Sequence, residues 1–443
     1  MLFRPLNRSV IVASLLASTA LPASLLGGAL LLTPALLGTA QALTQDVVLD
    51  ALKIEIPPKA DSKAVITIKK VSVEGTNLSK DEVAKLFDIA TSPDDARSIV
   101  AKMTAAKISM PEISIAFEGK NGEDLNKGTV VLRDLNAAKV DQGKVGKIAF
   151  GGADIAVKTG DIDTVKGTVG SYSIDDMDFS TFLAALKSGD LSKATVKYSK
   201  VSFSGLDLNI ADKETPAGSP GGNIIHVKAG AANASASYEG DIARKMAGEM
   251  QSVSIEFPKA SAAGKALASF GYDKLDIGMK VGAAYDPAAK KMSLDEFTFS
   301  GVGAGVLTFK GQFGSVDPSL YTGDKDARIK ALMGMDFSAL SLRFVNAGLA
   351  EKGLAFAATM QKKSADALKG DITGMAKAVI PTVLGGDVGK KVAEAVAAFI
   401  AAPKSLSADV KVKSGSLKFT DLAAVAKPQD ILPKIDLNVV ANQ

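Results

Sequence analysis

Apolar and polar residues alternate with period two along most of the chain. The pattern is clearest at Val71/Val73, Ile113/Ile115/Phe117, Phe297/Phe299 and Ile435/Leu437/Val439. Successive side chains of a strand point to opposite faces, so the alternation predicts half-buried strands, mostly antiparallel, with one face toward water. A finer rhythm is superimposed. Two alternating apolar residues are followed, three positions on, by another: Val130/Leu132/Leu135, Ile148/Phe150/Ala153, Tyr172/Ile174/Met177, Val201/Phe203/Leu206, Phe297/Phe299/Val302 and Leu342/Phe344/Ala347. A step of three inverts the phase and would turn the next apolar residue toward water. The intervening pairs Arg133-Asp134, Gly151-Gly152, Asp175-Asp176, Ser204-Gly205 and Ser300-Gly301 suit a bulge or tight bend that restores the facing; Val345-Asn346 suits it less. The first four motifs start 18, 24 and 29 residues apart, too irregular for a strict solenoid. A bent, twisted meander of hairpins is expected.

Period 3.6 interrupts the strands in a few places. Ser79-Lys80-Asp81-Glu82 is a capping box with Val83, Leu86 and Phe87 behind it, and Ser92-Pro93 starts a second helix with proline in the first position. Asp178 to Lys187 reads as a short helix capped by Asp178. The strongest helical signal is late: Leu368/Ile372/Met375/Val379 and Val388/Val392/Ala395/Val396/Phe399 form two stripes separated by Pro381 and Gly385-Gly386. They predict an antiparallel helical hairpin over 364–402, with both stripes serving core packing. The fold class expected is α+β and β-dominated: a large bent antiparallel sheet, helices along one face, and the hairpin near the C-terminus.

Two features bear on organisation. Glu214 to Asn223 holds Pro216, Gly218, Ser219, Pro220, Gly221 and Gly222. It reads either as a linker between β-rich domains at 43–213 and 224–443 or as a long hairpin loop within one sheet. The first 42 residues carry Arg4 and Arg8, then an uncharged and mostly apolar run ending at Ala40-Gln41-Ala42. This is the layout of a secretory signal peptide, and it places the rest of the chain in the periplasm. The alternative is an uncleaved segment that anchors the protein to the inner membrane.

Composition narrows the chemistry. Cysteine is absent, which removes disulfides, thiolate metal sites and cysteine nucleophiles. Tryptophan is absent and aromatic residues make up 5%, too few for a stacking platform. Without Arg4 and Arg8 the formal net charge falls from +4 to +2, and the remaining arginines are Arg97, Arg133, Arg244, Arg328 and Arg343. Scattered lysine on a nearly neutral chain gives nucleic-acid binding no support.

His226, the lone histidine, sits in the strand pattern Ile224-Ile225-His226-Val227 without a G-x-S-x-G serine, and reads as an ordinary strand residue. No serine stands three residues before a lysine, so the S-x-x-K dyad is missing. Gly301, Gly303 and Gly305 precede a strand rather than a helix, which fits a hairpin and not a dinucleotide site. Gly385 to Lys391 lacks the first glycine and the Ser/Thr of a phosphate loop, and reads as a turn into a helix capped by Asp387. Asp175, Asp176 and Asp178 have no glycine-centred loop or distal glutamate to complete a calcium site. No catalytic, cofactor-binding or metal-binding residue is assigned, and no cofactor is expected.

From Leu275 onward the order of segments is distinctive. Tyr285-Asp286-Pro287, Met292 to Phe299 and Val306 to Phe313 lead into Leu340-Ser341-Leu342-Arg343-Phe344 and Ala347-Gly348-Leu349. Phe399-Ile400-Ala401-Ala402-Pro403, Ser405-Leu406 and Val439 to Asn442 follow. Together these resemble uncharacterised exported envelope proteins of alphaproteobacteria. The strand rhythm alone is loosely similar to AsmA-type envelope proteins, whose repeated strands form a lipid-accommodating groove. Chain length and the helical hairpin depart from the larger members. The resemblance implies a non-enzymatic periplasmic protein holding a lipid or another hydrophobic ligand on a concave sheet face. The alternative is a scaffold that binds an envelope protein partner, with the hairpin covering that face.

Overall fold

The computed structural model describes residues 44–443 apart from 60–61, 122–123, 161, 180–195, 217, 221, 241, 323–324 and 426. The N-terminal segment 1–42 and most of the helix expected over Asp178 to Lys187 therefore lie outside the described residues. The fold is α+β and β-dominated: antiparallel strands form a large sheet, with helices concentrated toward the C-terminus. The chain forms two compact units that interleave in sequence. One contains residues 44–153 and 173–198; the other contains Asp154–Tyr172 and Ser199–Gln443.

In the first unit β1 (Gln45–Lys59), β2 (Ser62–Thr76), β3 (Thr104–Asn121), β4 (Asp124–Asp141) and β5 (Lys144–Phe150) pair in chain order as an antiparallel meander. β8 (Tyr172–Asp178) joins at β5. α1 (Lys80–Lys85) and α2 (Pro93–Lys102) interrupt the meander between β2 and β3, where the two capping signals stand. Ser79 accepts the Glu82 N–H while the Glu82 carboxylate accepts the Ser79 N–H, and Ser92 caps α2 ahead of Pro93. These helices press Val83, Ile99 and Met103 onto Val47, Leu49, Ile68, Val71 and Val73 of the sheet, all nearly solvent-free. Alternation and helical period therefore converge on one dry core.

The second unit holds the remaining strands: β6 (Gly152–Thr159), β7 (Ile162–Val169), β9 (Lys200–Phe203), β10 (Leu206–Ala211), β11 (Ile224–Ala229), β12 (Ala232–Glu239) and β13 (Ile242–Glu256). β14 (Lys274–Asp286), β15 (Lys291–Gly301), β16 (Gly305–Gly314), β17 (Asp336–Asn346), β18 (Ser405–Val412), β19 (Leu417–Lys418) and β20 (Ile435–Ala441) follow. β13 through β18 pair in sequence and β20 closes on β18. β11 and β12 both pair with β13, on its C-terminal and N-terminal halves respectively. β7 pairs with β10, and this non-local pairing makes the units interleave. The segment from Glu214 to Asn223 lies between β10 and β11, which pair from Leu206↔Ala229 to Ala211↔Ile224. β10 and β11 are therefore antiparallel neighbours on either side of this segment, and the two compact units divide at other points of the chain.

The phase-inverting pairs lie in or between strands. Asp134 and Asp176 take left-handed backbone angles within β4 and β8, at φ 55° and 51°. Gly152 and Gly205 stand at the breaks between β5 and β6 and between β9 and β10, with φ 148° and 143°. Ser300-Gly301 ends β15 at the tight turn into β16. Val345-Asn346, the poorest fit, ends β17. There the Asn346 carboxamide oxygen accepts the Gly348 and Ala350 N–H groups and opens the next helix.

Helices of the second unit are α3 (Ala262–Ser269), α4 (Ser319–Thr322), α5 (Lys325–Gly334), α6 (Leu349–Gln361), α7 (Ala365–Leu384), α8 (Gly386–Ala401) and α9 (Phe419–Ala423). α7 and α8 form the expected hairpin, with two corrections. Pro381 lies inside α7; three residues from its end, the missing N–H forfeits one bond and the helix runs on to Leu384. The turn is Gly385 alone, at φ 73°, and it also caps α8; Asp387 sits in the first turn and makes no cap bond. A Cβ on Gly389 would stand 2.8 Å from the Pro381 Cα, so the two helices cross closely there.

Candidate apolar ligand face

Register aligns the apolar residues of β14–β18 and β20 into rows. One runs Met279, Phe299, Leu307, Phe344, Leu406 and Ala441; the next runs Val281, Phe297, Phe309, Leu342, Ala408 and Val439. A third runs Ala283, Leu294, Gly311, Leu340, Val410 and Leu437. Leu294 and Phe297 are three apart, and an irregularity between them keeps both on this face. The opposite face is polar. Thr298 and Thr308 meet there at 3.2 Å, and Lys280 pairs with Glu296 at 2.9 Å. Hydrogen bonding to Lys280 holds the Glu296 carboxyl below the usual range, and the same bond raises Lys280.

Cover over the apolar face is uneven. At one end Tyr285, Met335 and Val316 close a small core with Met292 and Phe313, and the Tyr285 hydroxyl donates to the Val316 carbonyl at 3.0 Å. Phe337, Val412, Leu417 and Ile435 continue that closure, and the Phe419 ring of α9 lies beside Phe337. α8 packs against β18 and β20, and Phe399 meets Phe344 edge-on at 6.1 Å. Beyond these points Leu275, Met279, Phe297, Phe299, Leu307 and Leu342 stay between 37% and 45% exposed. They span β14 to β17, about 14 Å across at the usual strand spacing. Isolated exposed apolar residues are ordinary on protein surfaces, whereas a contiguous set in register marks a contact surface.

The helices beside this face are held by specific contacts. Phe356 of α6 stacks on Phe270 at 4.2 Å between centroids. Lys352 lies 3.5 Å over the Tyr272 ring and donates to the Gly271 carbonyl, while the Tyr272 hydroxyl donates to the Gly303 carbonyl. These bonds fix the start of α6 against the Gly301–Gly305 turn, the glycine run that the sequence placed in a hairpin.

The residues weighed for chemistry do not converge. His226 is exposed on β11, its ring 2.6 Å from the Asn209 carboxamide across the ladder to β10. Asp175 and Asp176 lie in β8, where Asp175 faces Lys147 at 3.7 Å. Asp178 is the last residue of that strand rather than a described helix cap, bonded through its backbone to Lys197. Among the described residues no group of three or more His, Asp or Glu is placed to hold a metal, and no helix is long and apolar enough to cross a membrane. A shallow cavity of about 300 Å³ is lined by Lys310, Gln312, Ser341, Asp409, Lys411 and Asn438 among others, and by none of the six exposed apolar residues.

Sequence patterning found Phe297, Phe299, Leu342 and Phe344 but not their alignment with Met279 and Leu307. Alternation assigns each residue a face; the registers that bring six strands into rows follow from turn lengths and bulges.

Comparison with known proteins adds one match. A family model described as "Uncharacterized protein" covers residues 298–442, which include β16–β20, α4–α9 and the end of β15 from Thr298 to Gly301. No curated protein and no solved structure matches the chain.

Proposed function

We propose that this is a non-catalytic protein of the cell envelope, exported to the periplasm, that holds a lipid or another hydrophobic ligand on the apolar face of β14–β17. One observation carries the reading: Met279, Phe299 and Leu307 with Phe297 and Leu342 form adjoining rows that, among the described residues, stay 39–45% exposed. Removing such a surface from water is worth about 25 cal/mol per Å², so an acyl chain laid along it gains affinity without any polar contact. The likeness to AsmA-type groove proteins and the signal-like N-terminal segment agree with this reading. The test is organic extraction of protein purified from the periplasm, followed by mass spectrometry. A stoichiometric lipid is expected, and its repeated absence would end the proposal.

A second reading has its own observation. α8 already covers β18 and β20, with Phe399 on Phe344. A face partly covered in this way also suits a scaffold that docks an envelope protein. In that case crosslinking in intact cells recovers one defined partner, and extraction yields no lipid.

A further inference from the structure

The sheet of the first unit ends on an open edge. Among the described residues β1 forms a ladder with β2 alone, and no backbone bond outside that ladder reaches residues 52–56. An edge strand presents unpaired N–H and C=O groups, which template the pairing of another strand. This stretch is bounded on both sides. Ala51 takes a left-handed backbone, φ 51°, so Leu49 and Leu52 face the same core although they are three residues apart. Pro57 and Pro58 lack the N–H that a further ladder bond would need. Between these limits β1 runs in regular register with β2, from Leu52↔Ile68 to Ile56↔Ala64.

The order of residues in this stretch selects the strand that fits it. Leu52, Ile54 and Ile56 lie against the core, and the outer two are only partly buried, as expected beside an edge without a neighbour. Lys53 and Glu55 alternate with them on the solvent side, their side chains 62% and 68% exposed. Leu-Lys-Ile-Glu-Ile has the same apolar pattern in either direction, with Lys and Glu exchanged. An antiparallel copy centred on Ile54 therefore sets Ile54 opposite itself, Leu52 opposite Ile56, and Lys53 opposite Glu55 twice over. Opposed residues of an antiparallel pair share a face, so the apolar row extends the core while each Lys–Glu pair meets in water. A two-fold interface brings one patch against itself and requires this self-complementarity. In the second unit β20 pairs with β18 alone. Its one charged residue is Asp436, so no copy of β20 could oppose unlike charges, and α8 already packs against it.

We propose that β1 pairs antiparallel with β1 of a second copy of this chain, about a two-fold axis at Ile54, joining two first-unit sheets edge to edge. Lys53 and Glu55, which bond to each other at 2.6 Å within one chain, exchange partners across the axis. A joint of this length is small beside stable protein interfaces, so the dimer is reversible and grows with concentration. It is independent of the ligand reading of the second unit: either can hold without the other.

Sedimentation velocity of the purified chain, at low salt and over a concentration series, tests the pairing. A monomer–dimer equilibrium is expected, weakening as salt screens the exposed charges. Lys53→Glu makes the opposed positions all acidic, and Glu55→Lys makes them all basic. Each change alone should weaken self-association by roughly tenfold. Mixed in equal amounts, the two variants should associate with each other at least as well as the unchanged chain does with itself, because unlike charges again face across the axis. Both side chains are exposed, so the unfolding midpoint of either variant should hardly move, which separates loss of pairing from loss of folding. A monomer at every concentration, a dimer unaffected by either charge reversal, or variants that stay apart on mixing would each overturn the proposal and leave the edge to a different strand. Lipid extraction of the same preparation reports on the second unit alone, so the two failures are separable.

Discussion

In the first unit the alternating residues Val71, Val73, Ile68 and Leu49 end in a core sealed by two short capped helices, and Leu78 and Val71 are wholly buried. In the second unit the same alternation places Phe297, Phe299 and Leu342 on a face that stays more than one-third exposed. The strands follow one rule in both; the difference lies in what packs on them. α1 and α2 put their apolar sides on the sheet of the first unit. α8 packs on β18 and β20 of the second and touches β17 through Phe399 on Phe344, and α7 leaves part of its apolar residues exposed. Antiparallel patterning thus makes an apolar face without deciding its use, and the helices decide whether it becomes core or contact surface.

The largest test of this contrast is in the core. Leu78→Ala removes a side chain with no solvent exposure from a site closed on all sides. A loss of about 2–5 kcal/mol is expected, because transfer and cavity costs add. Urea or thermal unfolding checks it. A loss below 1 kcal/mol would mean that the first unit is no better packed than the second.

Next come the backbone positions that shape the second unit. Gly305 has φ 140°, and a Cβ there would lie 2.3 Å from the Val345 carbonyl oxygen. Gly305→Ala combines a disfavoured conformation with a clash against the neighbouring strand, and a cost of about 1–3 kcal/mol is expected. Gly160→Ala, at φ 59° with nothing within 4 Å, is the comparison in which a positive φ is strained without any clash, and its cost should be the smaller.

A smaller effect separates the units by pH. Glu82 in the first unit is held down to about 2 from 4.5, chiefly by its hydrogen bond with Lys102 and then by the Ser79 N–H. Its pKa is lower folded than unfolded. The stability it contributes is therefore complete above pH 4.5 and is lost as pH falls from there toward 2. Glu82→Gln should cost about 1 kcal/mol at neutral pH, the usual worth of a cap, and should flatten the acid limb of the unfolding curve. An unchanged acid limb would exclude Glu82 as its source.

Local signals were the legible ones. Ser79 with Glu82, Ser92 with Pro93, and the Gly301–Gly305 turn each specify structure within a few residues, and each is found where the sequence puts it. The bends at Asp134, Gly152, Asp176 and Gly205 were legible because a phase inversion in an amphipathic strand needs a physical remedy. What depends on distant partners was not. Nothing local in Ile162–Val169 announces pairing with Leu206–Ala211, so the interleaving of the units was hidden. Periodicity marked Met375 and Val379 as one stripe with Leu368; whether a neighbour covers that stripe is not written in α7 itself.

The smallest expected stability change is the most informative about function. Phe299→Thr replaces one strand-favouring residue of β15 by another, now β-branched, and removes a ring that is 43% exposed. Its neighbours Met279 and Leu307 are themselves 39% and 41% exposed, so no sealed cavity forms. The stability cost should stay below about 1 kcal/mol, several-fold less than for Leu78→Ala. If the face holds a hydrophobic ligand, the double change Phe297→Thr, Phe299→Thr removes two of its largest contacts, and co-purifying lipid should fall at least tenfold while the unfolding midpoint hardly moves. A large stability loss with bound lipid unchanged would reverse the assignment, making these phenylalanines structural core and placing any ligand elsewhere. Separating the stability effect from the ligand effect at one pair of side chains is what distinguishes a contact surface from an incomplete core.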